Sequence, residues 1–292
     1  MLVILTALEV ERAAVLDRMT GVRRHVHRAG TQFDVGELGG RRVALGLVGA
    51  GNSNAAAVAE RAIAEFSPVA TLFVGVAGGL RDWLRLGDII LATKVYAYHG
   101  GRSEDDGMRT RPQAWSPSHR LLEQARSLAR AGDWAGPTPA EQCPKVHFEP
   151  VASGEVVLDS KSSVVARWLY DRYNDAVAVE MESAGFGLAC HLNDDLRAVC
   201  VRGVSDHAGG EKDKTDQVGW QVVAARNAAT FAEALVADID DNEEVVDQEE
   251  KQKPTGGGNA HYNVAKGNAQ VRQQVGAVYG NLHNESQRGD HG

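Results

Sequence analysis

The chain reads as an α/β protein with a polar C-terminal extension, and three observations predict this. Short β-branched apolar runs alternate with helical stretches from residue 1 to about 237. The 292 residues are 43% hydrophobic and 24% charged, a balance that supports one large buried core. After Asp238 the apolar density falls away, first into acidic sequence and then into Gly, Asn, Gln and His.

In chain order, Leu2 to Thr6 reads as a buried strand and Val10 to Met19 as an amphipathic helix. Thr31 to Leu38 alternates like an antiparallel strand, and Val43 to Val48 is a further strand. The small-residue turn from Gly49 to Ser53 opens an alanine-rich helix that runs to about Phe66. Ala70 to Val74 is a buried strand that leads into the glycine loop Gly75-Val76-Ala77-Gly78-Gly79. Asp88 to Tyr98 is strand-like, Ser118 to Ala131 helical, and Val151 to Ser153 a short strand. Helices are expected at about Ser160 to Tyr173, Met181 to His191 and Gln217 to Asp238, with a strand at Ala198 to Arg202 between the last two.

Residues 238–258 form an acidic, then glycine-rich linker, because like charges repel and Pro254 with Gly256, Gly257 and Gly258 breaks regular structure. Residues 259–292 are expected to be a disordered tail. The formal net charge of −8 gives no general attraction to nucleic acid or to an anionic membrane. Cys143, Cys190 and Cys200 are odd in number and lack metal-ligand spacing, so they read as reduced thiols of a cytoplasmic protein. No apolar run approaches the roughly 18 residues of a membrane span. Neither a zinc signature nor a phosphate-binding P-loop is present, so no cofactor or metal is expected.

Two segments carry the chemistry: Val179-Glu180-Met181-Glu182-Ser183 and Val201-Arg202-Gly203-Val204-Ser205-Asp206. Each puts acidic groups at the mouth of an apolar strand, where an unpaired charge is costly. Glu11, where the first strand runs into its helix, adds a third acid, although carboxylates favour helix first turns in any case.

These motifs recur in a fixed order: Ala7-Leu8-Glu9-Val10-Glu11, Gly75 to Leu80, Gly87-Asp88-Ile89-Ile90, Ser153-Gly154-Glu155, then the two strand ends. Together they resemble the purine nucleoside phosphorylase and nucleosidase superfamily, nearest to the methylthioadenosine/S-adenosylhomocysteine nucleosidases, over nearly all of residues 1–237. The resemblance implies a three-layer fold with a central mixed twisted sheet flanked by helices, and a homo-oligomer of two or more copies. It makes Asp206 the general acid that protonates the five-membered ring of the leaving purine. A partly desolvated strand-end pocket favours the protonated form of such an acid. Glu182 then holds the ribose hydroxyls and steadies the developing positive charge. Met181 packs on the sugar, Glu11 activates a water, and Arg202 stands near the nucleophile. Glu180, Gly78 and Val157 complete the substrate-binding positions.

Two departures accompany the resemblance. Val76 stands where the family carries a hydroxyl residue; with Glu11 beside it, this favours water over phosphate as nucleophile but leaves the water site incomplete. The family aromatic near Val157 is missing. Instead the segment from Lys94 to Pro112 resembles immune-effector members, some of which remove adenine from ATP. There Tyr98 is expected to cover the base, and Arg109 and Arg111 to hold a 5′-phosphate chain. The plainer alternative is a solvated loop balanced by Glu104, Asp105 and Asp106.

In the tail, Val271, Gln273, Val275, Ala277 and Tyr279 share one face at period two, and Gly-Asn pairs at 258–259, 267–268 and 280–281 suggest a weak repeat. Residues 263–283, centred on Gln274-Val275-Gly276, resemble bacterial amyloid signalling motifs, which implies an upstream receptor with a matching motif. The functional expectation is a purine N-glycosidase triggered through this tail. A nucleoside-binding sensor without turnover and a phosphorylase of the same fold stand as alternatives.

Overall fold

The structure, a computed structural model, describes residues 1–239 apart from 106, 137–142, 195, 211–214 and 216–217. The acidic linker from 240 onward and the tail with its motif lie outside the described residues.

Twelve strands and six α-helices make up the described fold. The strands are β1 Leu2–Thr6, β2 Thr20–Val26, β3 Gln32–Leu38, β4 Arg41–Leu47, β5 Ala70–Gly79, β6 Ile89–Ala97, β7 Gly101–Glu104, β8 Gly107–Thr110, β9 Gln113–Trp115, β10 Val146–Ser153, β11 Ala178–Glu180 and β12 Ala198–Asp206. The helices are α1 Glu9–Leu16, α2 Asn52–Phe66, α3 His119–Ala131, α4 Val164–Arg172, α5 Ser183–Leu192 and α6 Trp220–Asp238. Ten strands form one mixed sheet in the order β11-β10-β6-β12-β5-β1-β4-β3-β2, with β9 added beside β6; β7 and β8 form a separate hairpin. Apolar side chains alternate between the two faces of the sheet. Val74, Val76, Val199 and Val201 pack with the α6 alanines and with α1 and α3, whereas Phe73, Ala77, Cys200 and Val204 pack with α2 and α5. This is the expected three-layer architecture.

The alanine stripe of α6 allows an unusually close approach. A Cβ placed on Gly203 of β12 would lie 2.2 Å from the Ala224 carbonyl oxygen, so the helix rests almost on the strand backbone.

Several boundaries differ from the sequence reading, each for a physical reason. The glycine run Gly75 to Gly79 is not a loop: it continues β5, pairing in parallel with β12 and then, at Gly78 and Gly79, antiparallel with β11. Strands β5, β12, β6, β10 and β11 thereby close into a ring. Strand β12 likewise continues to Asp206, so the whole Val-Arg-Gly-Val-Ser-Asp motif is sheet. Strand β2 has no apolar alternation to betray it, because nearly every residue in it is exposed on the sheet edge. Helix α1 ends at Leu16 and α4 begins at Val164, capped by the Ser163 hydroxyl, which accepts the Ala166 N–H at 3.1 Å. All three cysteines are free thiols, with Cys190 and Cys200 buried and Cys143 partly exposed. Among the described residues no helix is long and apolar enough to cross a membrane.

Candidate active site

Closing the ring draws the C-terminal ends of β5, β11 and β12 around one pocket of about 290 Å³. Its lining includes Glu11, Val76, Gly78, Val157, Glu180, Met181, Glu182 and Asp206.

Glu11 lies in the first turn of α1, and its carboxylate folds back over the helix start. One oxygen accepts the Ala7 and Leu8 N–H groups at 2.7 and 2.9 Å; the other accepts the Val76 N–H at 2.8 Å. Burial nevertheless raises its pKa, against the pull of Arg202 and of these amides.

Arg202 is fully buried and stacks over Phe73, its guanidinium carbon 4.4 Å from the ring centre. It hydrogen-bonds Glu180 and, at 2.8 Å, the Ser183 hydroxyl, and Glu182 lies 3.8 Å away. Burial alone would weaken its charge, but Glu180, Glu182 and Glu11 more than offset that and raise its pKa. Its Nη1 makes no hydrogen bond to a described residue. A methyl group on Gly75 would stand 2.5 Å from this Nη1 and 2.6 Å from Glu11 Oε1, so only glycine lets the two groups face one space.

Glu180 accepts the Glu182 N–H at 3.1 Å, the Ser183 N–H at 2.9 Å and the Ser183 hydroxyl at 3.0 Å, besides its bond from Arg202. It therefore fixes Arg202 and the backbone that presents Glu182. Glu182 accepts the Gly51 N–H at 3.1 Å, from the start of α2. Gly51 has φ near +100°, a conformation suited to glycine, and this turns its amide toward the carboxylate. Glu182 is pushed up to about 7, first by burial and then by the charge of Glu180, with Arg202 and the Gly51 amide opposing. Three carboxylates thus share one guanidinium.

Across the pocket, buried Asp206 accepts the Ser205 hydroxyl at 2.9 Å and the Ala208 N–H at 2.8 Å. Val156, Val157 and Leu158 add apolar lining to the pocket, with Val157 largely exposed.

The structure therefore brings Glu11, Arg202, Glu180, Met181, Glu182, Gly78, Val157 and Asp206 to one place. Three residues expected there lie elsewhere. Tyr98 is buried in a separate cluster with Leu158, Trp168 and Tyr173, and closes so tightly under Gly154 that a Cβ there would be 2.2 Å from its ring. Arg109 sits on the β7–β8 hairpin, 3.1 Å from Glu104, and Arg111 is exposed just after it. The Glu104 carboxylate lies close enough to Arg109 to take its charge, as the solvated-loop alternative expects of that residue. Among the described residues the pocket lining holds no lysine or arginine, and none form a cluster fit for a metal ion. Ser183, Ser205 and Gln221 were missed by sequence reasoning. The first two sit inside motifs already noted, and Gln221 is a polar interruption at the head of an alanine stripe.

The strand ends of this mixed sheet thus carry buried carboxylates around a buried arginine. Residues 1–237 match the family model of the phosphorylase superfamily, and the chain belongs to that family. It is 29% identical over 239 residues to the 5′-methylthioadenosine/S-adenosylhomocysteine nucleosidase of Chromohalobacter salexigens, covering 78% of this chain and 92% of that one. It is also 29% identical over 264 residues to the ATP nucleosidase Cap17 of Escherichia coli, covering 78% of this chain but spanning only 50% of that relative's length. Among solved structures, the methylthioadenosine/S-adenosylhomocysteine nucleosidase of Neisseria meningitidis in complex with methylthio-immucillin-A superposes with a TM-score of 0.69 at 25% identity, over 82% of this chain and 99% of that one. With these relatives, the chain is an enzyme of the nucleosidase kind, hydrolysing an N-glycosidic bond.

Proposed function

We propose that residues 1–237 remove the base, adenine, from a purine nucleoside or nucleotide, ATP included, and that the chain acts as a defence effector switched on through its tail. The gathering of Asp206, Glu182 and Glu11 on one pocket, with buried Arg202 behind Glu182, carries this reading. In the reaction a water oxygen attacks C1′ of the ribose while the bond from C1′ to the base nitrogen breaks and its electron pair leaves with the base. Asp206 gives a proton to the five-membered ring of the base, and Glu11 takes one from the water. The products are free base and a ribose bearing a hydroxyl at C1′. Glu182 holds the ribose hydroxyls and stabilises the cation-like sugar. Arg202 Nη1 and Glu11 Oε1 hold the water over Gly75.

Water is favoured over phosphate because three buried carboxylates surround the single guanidinium and would repel an anion. Val76 also offers phosphate no hydroxyl. The adenine and ATP reading draws on the relative that is an ATP nucleosidase by name. The defence role and the trigger draw on the resemblances of the Lys94 to Pro112 segment and of residues 263–283. Chromatography of free bases after incubating the full chain with ATP, adenosine, methylthioadenosine and guanosine, with and without phosphate, tests the proposal. Free adenine without phosphate is the expected result. A phosphate-dependent reaction yielding ribose 1-phosphate, or no base from any of the four, would overturn it.

A further inference from the structure

The hydrogen bond from the Gly51 N–H to Glu182, 3.1 Å long, comes from the residue least able to hold its own backbone direction. Gly51 stands at φ near +100° with no side chain to anchor it, so the aim of that N–H depends on its neighbours. The next residue, Asn52, opens α2, and its side-chain amide uses its full bonding capacity. Its oxygen accepts the Ser153 hydroxyl at 2.9 Å and the Gly185 N–H at 2.8 Å. Its nitrogen donates to the Gly154 carbonyl and to Glu155 Oε1, each at 3.0 Å. Ser153 in turn accepts the Ala184 N–H at 3.1 Å. One amide therefore ties the start of α2 to the end of β10 and to the first turn of α5, the helix that begins directly after Glu182.

The junction is close as well as polar. A Cβ on Gly185 would lie 1.9 Å from the Asn52 carbonyl oxygen, so α5 rests on the Asn52 backbone. Asn52 does not line the catalytic pocket; with Ser153, Gly154 and Glu155 it lines a neighbouring cavity of about 290 Å³. We infer that Asn52 is a positioning residue for Glu182, locking the element that carries the Gly51 donor to the element that follows the acceptor, without touching substrate. The inference rests on the reading of Glu182 as the carboxylate that holds the ribose. Its consequence is electrostatic. Burial first, then Glu180 on β11 and, less strongly, Glu11 on α1 push Glu182 up to about 7, while Arg202 on β12 and the Gly51 amide oppose them. Freeing the amide should therefore keep the proton on Glu182 to a higher pH.

A pH profile separates this role from plain support of the fold. The full chain and its Asn52→Ala variant are assayed for base release from adenosine, methylthioadenosine and ATP between about pH 6 and about pH 9. The acid limb of kcat/KM should move up by about one pH unit, the worth of one hydrogen bond to a charged group. The ratio of variant to wild-type kcat/KM should then lie within about threefold of unity at about pH 9 and fall about tenfold further by about pH 6. General loosening or a smaller folded fraction lowers that ratio equally at every pH. Ser153→Ala, which removes one of the four bonds from the strand side, should move the limb by less in the same direction, and it carries the test if Asn52→Ala does not fold. A ratio that stays flat with pH in the folded variants would overturn the assignment. If the wild type itself lacks an acid limb near 7, the reading of Glu182 fails. If that limb is present and neither variant moves it, only the role of Asn52 fails.

Discussion

Lowering the pH should silence this enzyme through Glu182 before it harms the fold. Glu182 is buried, shares its surroundings with Glu180 and Glu11, and is pushed up to about 7 from an ordinary 4.5. Gripping the ribose hydroxyls and the cation-like sugar calls for the ionised carboxylate, and kcat/KM reports the groups of the free enzyme. The ionised fraction is about one half at the pKa and falls about tenfold for each pH unit well below it, so kcat/KM should drop about fiftyfold between pH 7 and pH 5. Stability must run the other way. A carboxyl whose pKa is higher in the fold than in the unfolded chain favours the fold in its neutral form. That contribution is complete below about 4.5 and is lost as the pH rises through about 7, an effect on the order of 3 kcal/mol. The free protein should therefore melt at a lower temperature at about pH 7.5 than at about pH 5, while activity climbs over the same window. Glu11 is raised in the same direction by its burial, so the variant Glu182→Gln separates the two: the limb near 7 and most of the stability change should vanish together. The assay is base release against pH, paired with thermal melting of the free protein. A wild-type kcat/KM that stays flat from about pH 8 to about pH 5.5, or a limb that survives unchanged in Glu182→Gln, would refute the reasoning.

Asp206→Asn should fold normally yet lose about two to four decades in turnover, and retention of more than about a tenth of wild-type activity would remove Asp206 as the acid. Gly75→Ala should cost about a hundredfold in kcat, because the added methyl lands 2.5 Å from Arg202 Nη1 and 2.6 Å from Glu11 Oε1 and must displace one of them. Glu180→Gln should lower stability by about 3 kcal/mol in a urea titration, since it strips a fully buried arginine of its hydrogen-bonded counter-charge. A peptide of residues 263–283 should form dye-positive fibrils with a strand spacing of about 4.7 Å. Gln274→Asp or Gly276→Asp should abolish them by stacking like charges, and a wild-type peptide that stays monomeric even when seeded would count against the signalling role.

The amino-acid sequence settles the layers and the chemistry on offer. Apolar period and breaker residues are local signals, so β1, α2, α3 and the core of α6 can be read directly from them. Glu11, Glu182, Arg202 and Asp206 stand out because charge at the end of an apolar strand is rare and costly. Tertiary structure decided what no local pattern encodes. Gly75 to Gly79 looks like a turn, yet it pairs as strand because β12 and β11 supply partners from more than 90 residues away. Glu180 reads from sequence as a ligand-binding acid, and only the fold shows that it also holds Arg202 and Ser183 through hydrogen bonds. Tyr98, Arg109 and Arg111 suggest a nucleotide cradle, but in the fold Tyr98 is buried with Trp168 and Tyr173, and Arg109 meets Glu104 on the β7–β8 hairpin. Gln221 gave no signal by type or by motif. It lines the pocket because an alanine face packs α6 against the sheet, and the strands beneath that face end where the pocket begins.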